Sequence, residues 1–204
     1  MSKGLDALLG EIRNCRHCVD SPRGKPLPHE PRPVFQISAS ARICICGQAP
    51  GTRVHASGVP FTDPSGDRLR DWMGVSSEEF YDASRMAIVP MGFCFPGLDA
   101  KGGDLPPRKE CAQIWRGRLF EMLPQFELVL LVGGYAQSWH LETPRGQSLT
   151  ETVKAWDPKS LTGDSPVLIP LPHPSWRNNA WLKKNLWFGE RVLPALKKAV
   201  RTRL

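Results

Sequence analysis

The 204-residue chain contains no apolar run as long as the roughly 18 residues that a bilayer-spanning helix needs, so a membrane span of that kind is excluded. Its first residues, Met1-Ser2-Lys3-Gly4-Leu5-Asp6, lack the apolar centre of a secretory signal, and the expected location is the cytoplasm. Internal repeats and low-complexity tracts are also missing, which removes the fibrous classes. Disorder is disfavoured because hydrophobic residues at 41% and charged residues at 23% lie near globular averages. A length near 200 suits one domain, 1–204, with chain enough to bury a core. The surplus lies in 18 glycines and 20 prolines, nearly a fifth of the chain where average usage is about 12%. It implies long, shaped loops between modest elements.

Lys and Arg total 27 against 20 Asp and Glu, a formal charge of +7. Residues 183–204 concentrate part of this excess: Lys183, Lys184, Arg191, Lys197, Lys198, Arg201 and Arg203 stand against Glu190. The run reads either as the solvated face of a C-terminal helix or as a stripe for phosphates.

Six cysteines in a cytosolic-looking chain direct attention to metal or redox chemistry before disulfides. Cys44 and Cys46 lie two apart in an apolar run, share one strand face, and read as small core residues. Cys15 and Cys18 form a C-x-x-C after a short helical stretch, 5–13, while Cys94 and Cys111 bracket a Gly/Pro-rich loop. Four thiolates suit zinc and an iron–sulfur cluster alike, and the spacing leaves both open, as well as no metal.

Residues 21–40 are polar and proline-rich, so they should run as an extended arm, making 1–40 an N-terminal helix plus arm. Beyond it, strand candidates at 42–47, 85–90, 128–133 and 167–171 alternate with helix candidates at 64–73, 108–123, 135–140 and 149–156. Residues 187–203 form an amphipathic last helix with Val192, Leu196, Ala199 and Val200 inward. Strands separated by helices predict a three-layer α/β/α sandwich around a central, mainly parallel four-stranded sheet. Ligands of such sheets bind beyond the carboxyl ends of the strands. The loops there become the places to seek chemistry.

The first loop is Gly47-Gln48-Ala49-Pro50-Gly51, either a tight strand exit or a segment whose backbone can approach a ligand closely. Phe61, in Gly58-Val59-Pro60-Phe61, could stack on a flat base. Asp63 before Pro64 reads as a helix cap. The fourth loop, Leu171-Pro172-His173-Pro174-Ser175-Trp176-Arg177-Asn178, fixes His173 between prolines. Histidine can stabilise developing negative charge near neutral pH. Ser175 and Arg177 suit phosphates, and Trp176 is an aromatic in a polar loop.

Gly47-Gln48-Ala49-Pro50-Gly51 and His173-Pro174-Ser175, at the ends of the first and fourth strands, resemble the two signature motifs of the uracil-DNA glycosylase superfamily. The likeness is nearest to its iron–sulfur branch, family four, through Cys15-x-x-Cys18, Gly58-x-Pro60-Phe61 and the Cys94/Cys111 pair, over roughly residues 15–178. The resemblance implies a hydrolase of N-glycosyl bonds in base excision repair, acting on single- or double-stranded DNA near the nucleoid. Such an enzyme flips a deaminated base, foremost uracil, into a pocket and cuts its glycosidic bond. His173, Gln48 and Ala49 would be catalytic, with Gly47, Pro50, Phe61 and Pro90 around the base. Ser175, Trp176, Arg177 and Asn178 would pinch phosphates and wedge the stack. Cys15, Cys18, Cys94 and Cys111 would hold a structural [4Fe–4S] cluster, with zinc as the alternative.

Three positions depart from the family patterns. Ala49 replaces the aspartate of G-Q-D-P-Y, Gln48 the glutamate of G-E-A-P-G, and Pro90 an asparagine that reads the pyrimidine edge. His55, Asp63 and Asp67 are the nearest groups that could position water instead. These departures motivate two alternatives: a non-catalytic or weakly active binder of damaged or single-stranded DNA, and a glycosylase for hypoxanthine or xanthine. A covalent DNA trap of the superfamily kind would need a histidine between Cys94 and Cys111, and none is there.

Overall fold

A computed structural model of the chain describes residues 2–142, 146–161 and 166–204. Its sheet has four strands: β1 (Ile43–Cys46), β2 (Met86–Ile88), β3 (Leu128–Val132) and β4 (Val167–Leu171). They lie in the order β2-β1-β3-β4, and every neighbouring pair is parallel. The register sets Ile43 beside both Met86 and Leu128, and Leu128 beside Val167.

Ten helices surround the sheet among the described residues. α1 (Ser2–Arg13) and α2 (His17–Asp20) precede β1; α3 (Thr52–Ser57), α4 (Pro64–Met73) and α5 (Ser77–Tyr81) lead to β2. α6 (Lys109–Met122) crosses to β3, then α7 (Gly134–His140) and α8 (Leu149–Ala155) cross to β4. α9 (Asn179–Lys184) and α10 (Leu193–Arg201) follow β4.

The strands are apolar on both faces because each face is buried. Ile43, Ile45, Leu130 and Ile169 pack with Leu69 and Trp72 of α4, Val153 of α8 and Leu196 of α10. On the opposite face Cys44, Cys46, Val129 and Leu131 pack with Leu8 and Ile12 of α1, Ala112 and Leu119 of α6, and Ala136 of α7. The architecture is the three-layer α/β/α sandwich. Cys44 and Cys46 are core residues, both fully buried.

The arm at 21–40 contains no helix or strand, but Gln36 makes an isolated antiparallel bridge with Ile88. Its N–H and carbonyl pair with Ile88 at 3.0 and 2.6 Å, so the exposed edge of β2 is partly covered.

Four differences from the sequence expectation have local causes. The second strand ends at Ile88, shortly before Pro90, which has no N–H to donate to a ladder. Residues 52–57 form α3 where a loop was expected, closed by Gly58 in the left-handed conformation. Helix α5 has no counterpart among the helix candidates read from the sequence, although Ser76 and Glu79 form a reciprocal capping box at its start. The last helix is not uniform: a π-helical turn at Phe188–Val192 precedes α10. Pro194 lacks the N–H that would close the preceding α turn, which explains the widened register.

The inward set of this last segment is as expected, with Val192, Leu196 and Val200 fully buried and Ala199 nearly so. Part of its positive charge is used internally. Arg201 pairs with Glu79 at 2.6 Å and donates to the Gly74 carbonyl at 2.7 Å.

Helix α1 is bound to the sheet through Leu8 and the fully buried Ile12. Ile12→Ala should therefore cost about 2–5 kcal/mol. Urea denaturation should show a lower midpoint for the whole chain, with one transition.

Candidate functional site

The loop after β1 is tied to the loop after β2. Met91 donates its N–H to the Gly47 carbonyl at 2.9 Å, and Gly92 donates to Gln48 at 3.0 Å. These bonds hold Gly47-Gln48-Ala49-Pro50-Gly51 as one wall of a cavity at the carboxyl end of the sheet. Phe61 and Pro90 form further parts of its lining, and His173 closes it from the loop after β4. The structure brings together every residue expected to touch a base.

Phe61 has φ 53°, the one positive value at a non-glycine residue among those described. A bulky side chain in that region is strained and must be held by its surroundings. The Tyr81 hydroxyl lies 3.0 Å from the Pro60 carbonyl and 3.1 Å from that of Phe61, so it donates into this bend. Gly66 leaves the necessary room: a Cβ there would lie 1.8 Å from the Phe61 carbonyl oxygen. At Gly47, a Cβ would lie 3.3 Å from the Phe61 ring, so the ring rests directly on the motif backbone.

His173 is oriented by its own loop. The Ser175 N–H donates to Nδ1 at 3.2 Å, and because an N–H can only donate, the neutral ring carries its hydrogen on Nε2. The Asn178 amide donates to the His173 carbonyl at 2.7 Å, and Arg68 of α4 donates to the Ser175 carbonyl at 2.9 Å. Burial lowers the His173 pKa, with the Asp63 carboxylate acting against that shift. The ring is therefore an uncharged Nε2–H donor at neutral pH.

Beyond His173 the loop faces solvent. Trp176 is 72% exposed, and the Arg177 guanidinium sits 5.8 Å from its ring centre. Ser175, Trp176 and Arg177 share the turn as expected, whereas the Asn178 side chain turns inward to brace His173.

Of the three polar groups expected near the cavity, only Asp63 lines it. Its carboxylate also caps α4, accepting from the Gly66 N–H at 3.3 Å and from Ser65 Oγ at 2.6 Å. Asp67 is exposed and pairs with Arg70. His55 packs at a tilt against His29, 4.2 Å between ring centres, and against Phe95 at 5.7 Å, and is not part of the lining. A second carboxylate, Asp104, does line the cavity and was not singled out from sequence. Its only sequence signal is its place after Gly102 and Gly103, a turn signature inside the Cys94–Cys111 bracket.

Cys15, Cys18, Cys94 and Cys111 border a different cavity. Burial pushes the Cys18 thiol up to about 11 and Cys94 to about 12, and raises Cys111 as well. Among the described residues, no group of three or more His, Cys, Asp or Glu is arranged to hold a metal ion.

Arg116 of α6 joins the two regions. It is 2% exposed and donates to the carbonyls of Val89 and Pro90 at 3.2 Å each, while also bonding His140 Nε2. The helix that carries Cys111 is thereby fastened to the Pro90 edge of the first cavity.

Among the described residues, no helix is long and apolar enough to cross a membrane. A family model described as the uracil DNA glycosylase superfamily matches residues 34–197. The matched span contains both pocket loops, Cys94 and Cys111, and leaves Cys15 and Cys18 outside it.

The tight approach at Gly66 generates a test of how Phe61 is held. Gly66→Ala should destabilise the chain on the order of 3 kcal/mol, because backbone must move to admit the methyl group. Thermal unfolding measures the loss, and quenched cavity-ligand binding by the surviving fold would show Phe61 displaced.

Proposed function

The chain belongs to the uracil DNA glycosylase superfamily, and from that membership we propose that it is a DNA glycosylase that removes a deaminated base, foremost uracil. The observation that carries this reading is the cavity in which Phe61, the Gly47–Gly51 backbone and the oriented His173 meet. A base inside a duplex is out of reach, so the target nucleotide must be extruded. The ring of Phe61 offers a face for stacking, and the backbone of Gln48 and Ala49 lies beside the same space.

Breaking the C1′–N bond leaves positive charge on the sugar and negative charge on the departing base. A donor aimed at a base carbonyl stabilises the second charge more as the bond breaks, which lowers the barrier. Neutral His173, donating from Nε2, supplies that without giving up a proton. DNA phosphates near the sugar help to stabilise the positive charge.

Pro90 stands at the edge where the family pattern has an asparagine, and its side chain has neither donor nor acceptor. The base is then read mainly by backbone and His173, which favours acceptance of hypoxanthine or xanthine beside uracil. Trp176, projecting from the His173 loop, fits a wedge that fills the vacated stack, and Arg177 and Ser175 fit phosphate contacts.

For the second cavity the proposed occupant is a [4Fe–4S] cluster held by Cys15, Cys18, Cys94 and Cys111. Four cysteines border one cavity, Cys111 buried and the other three half-buried, and an all-cysteine donor set is what such clusters take. When bound, the cluster would cross-link the α1–α2 segment to the 94–111 segment and play a structural part. The proposed setting is the cytoplasm, at the nucleoid.

Single-turnover reactions on oligonucleotides containing uracil, hypoxanthine or xanthine, followed by alkaline cleavage, test the activity. Abasic sites are expected with at least one base, and His173→Ala should slow release by about 10²–10³-fold. Trp176→Ala should slow duplex reactions more than single-strand reactions, since unstacking costs a few kcal/mol only in the duplex. No release with any base at enzyme excess would leave a DNA-binding protein in place of an enzyme.

Metal analysis tests the second cavity. A brown protein with iron and inorganic sulfide in equal amounts, lost on Cys18→Ala, is expected; a colourless protein with stoichiometric zinc would overturn the cluster.

A further inference from the structure

The reaction assigned above consumes water, and its oxygen must lose a proton as it bonds to C1′. The Gly47–Gly51 loop offers no side-chain base: its side chains are those of Gln48, Ala49 and Pro50. Two carboxylates do line the cavity, Asp63 at the start of α4 and Asp104 in the 97–105 segment.

Their situations differ. Asp63 holds its Oδ1 to the start of α4 through Ser65 and Gly66, and its charge acts on His173. No hydrogen bond from the described residues commits the Asp104 carboxylate. Asp104 is delivered by a small self-bonded hairpin. Leu98 and Asp104 form an antiparallel bridge, and the Leu105 N–H donates to Gly97 at 2.9 Å. The turn between them is closed by Asp99, whose N–H donates to Gly103 at 2.7 Å and whose carboxylate accepts from Lys101 and Gly103 at 2.8 and 2.9 Å. Such a turn fixes the backbone of its closing residue.

The hairpin places Asp104 directly against the first motif. A Cβ on Gly51 would lie 3.1 Å from Asp104 Oδ2, so the glycine leaves the space that the carboxylate uses. Resting on the proposed glycosylase activity, we propose that Asp104 is the general base of the reaction, supplied by the Cys94–Cys111 segment in place of a carboxylate in the Gly47–Gly51 loop.

Water is oriented by Asp104 and attacks C1′ as the C1′–N bond breaks. The bonding electrons leave with the base, which is stabilised by His173, and the water proton passes to Asp104. Asp104 then passes that proton to the departed base anion, so the products are an abasic sugar and the free base, and the carboxylate is restored with no other reactant required. Proton acceptance is most effective when the base has a pKa raised toward the working pH. Partial burial raises the Asp104 pKa, the Arg177 charge opposes that shift, and the Asp63 charge adds to it. His173 faces the same cavity and is neutral.

The test uses the full chain and the oligonucleotide base that it releases fastest. Rates are measured in single turnover from pH 4.5 to 8, with DNA binding measured separately. The wild-type rate should fall on the acid side, because below its pKa Asp104 is protonated and cannot accept a proton. Asp104→Asn should lose about 10²–10⁴-fold in rate, keep DNA affinity within a few-fold, and show no acid limb of this origin. Asp104→Glu should recover part of the rate together with a displaced limb, which separates chemistry from a folding defect. If Asp104→Asn retains the wild-type rate and acid limb, the assignment is wrong. If instead the wild-type chain releases no base at all, it is the glycosylase reading that fails.

Discussion

Burial of a four-stranded parallel sheet on both faces is the constraint from which the rest follows. Residues such as Ile45 and Leu130 on one side, and Cys46 and Leu131 on the other, would each expose apolar surface without a helical layer above them. Covering both faces requires crossover connections, and parallel strands send all their exits to the same end of the sheet. The loops after β1, β2 and β4 meet there, which is why residues as distant in sequence as Gly47, Pro90 and His173 share one cavity. The hydrophobic effect thus assembles the polar site without any contact between its members being strong.

Within that site, rigidity is obtained by local ties of modest strength. His173 is fixed by a neighbouring amide and by Asn178, and Phe61 is fixed by Tyr81 and by the absence of a side chain at Gly66. A hydrogen bond of this type contributes only about 0.5–1.5 kcal/mol to stability. Its greater effect is to remove alternative positions, so that little reorganisation is left for the moment of reaction. The strain at Phe61 fits the same pattern: an unfavourable φ is tolerated where a ring must lie against a backbone.

Much of this was legible in the sequence because it rests on short-range signals. The run Leu128-Val129-Leu130-Leu131-Val132 reads as a strand buried on both faces, and Asp63-Pro64 reads as a helix start. Both describe interactions between residues close in the chain or with an apolar surrounding that needs no address. Asp104, by contrast, is marked only by its glycine turn; that it reaches Gly51 depends on how the whole 97–105 hairpin lies. His55 fails in the opposite direction. It is near the motif in sequence, yet α3 carries it into a ring cluster with His29 and Phe95. Asp67 likewise is one helical turn from Asp63 and still faces Arg70. Sequence proximity at a helix start says little about which side of the helix a residue takes. The positive φ of Phe61 has no sequence mark, since phenylalanine is among the residues least suited to it.

The buried guanidinium of Arg116 gives the protein a mechanical property as well as a bond. Near-complete burial of the Arg116 guanidinium shields its bonds to the Val89 and Pro90 carbonyls from salt and competing water. The joint between α6 and the cavity rim is therefore not adjustable by the medium. Arg116 stands about one and a half turns along α6 from Cys111, so a rotation of the helix about its Cys111 end would be carried through that guanidinium to the Pro90 edge of the cavity.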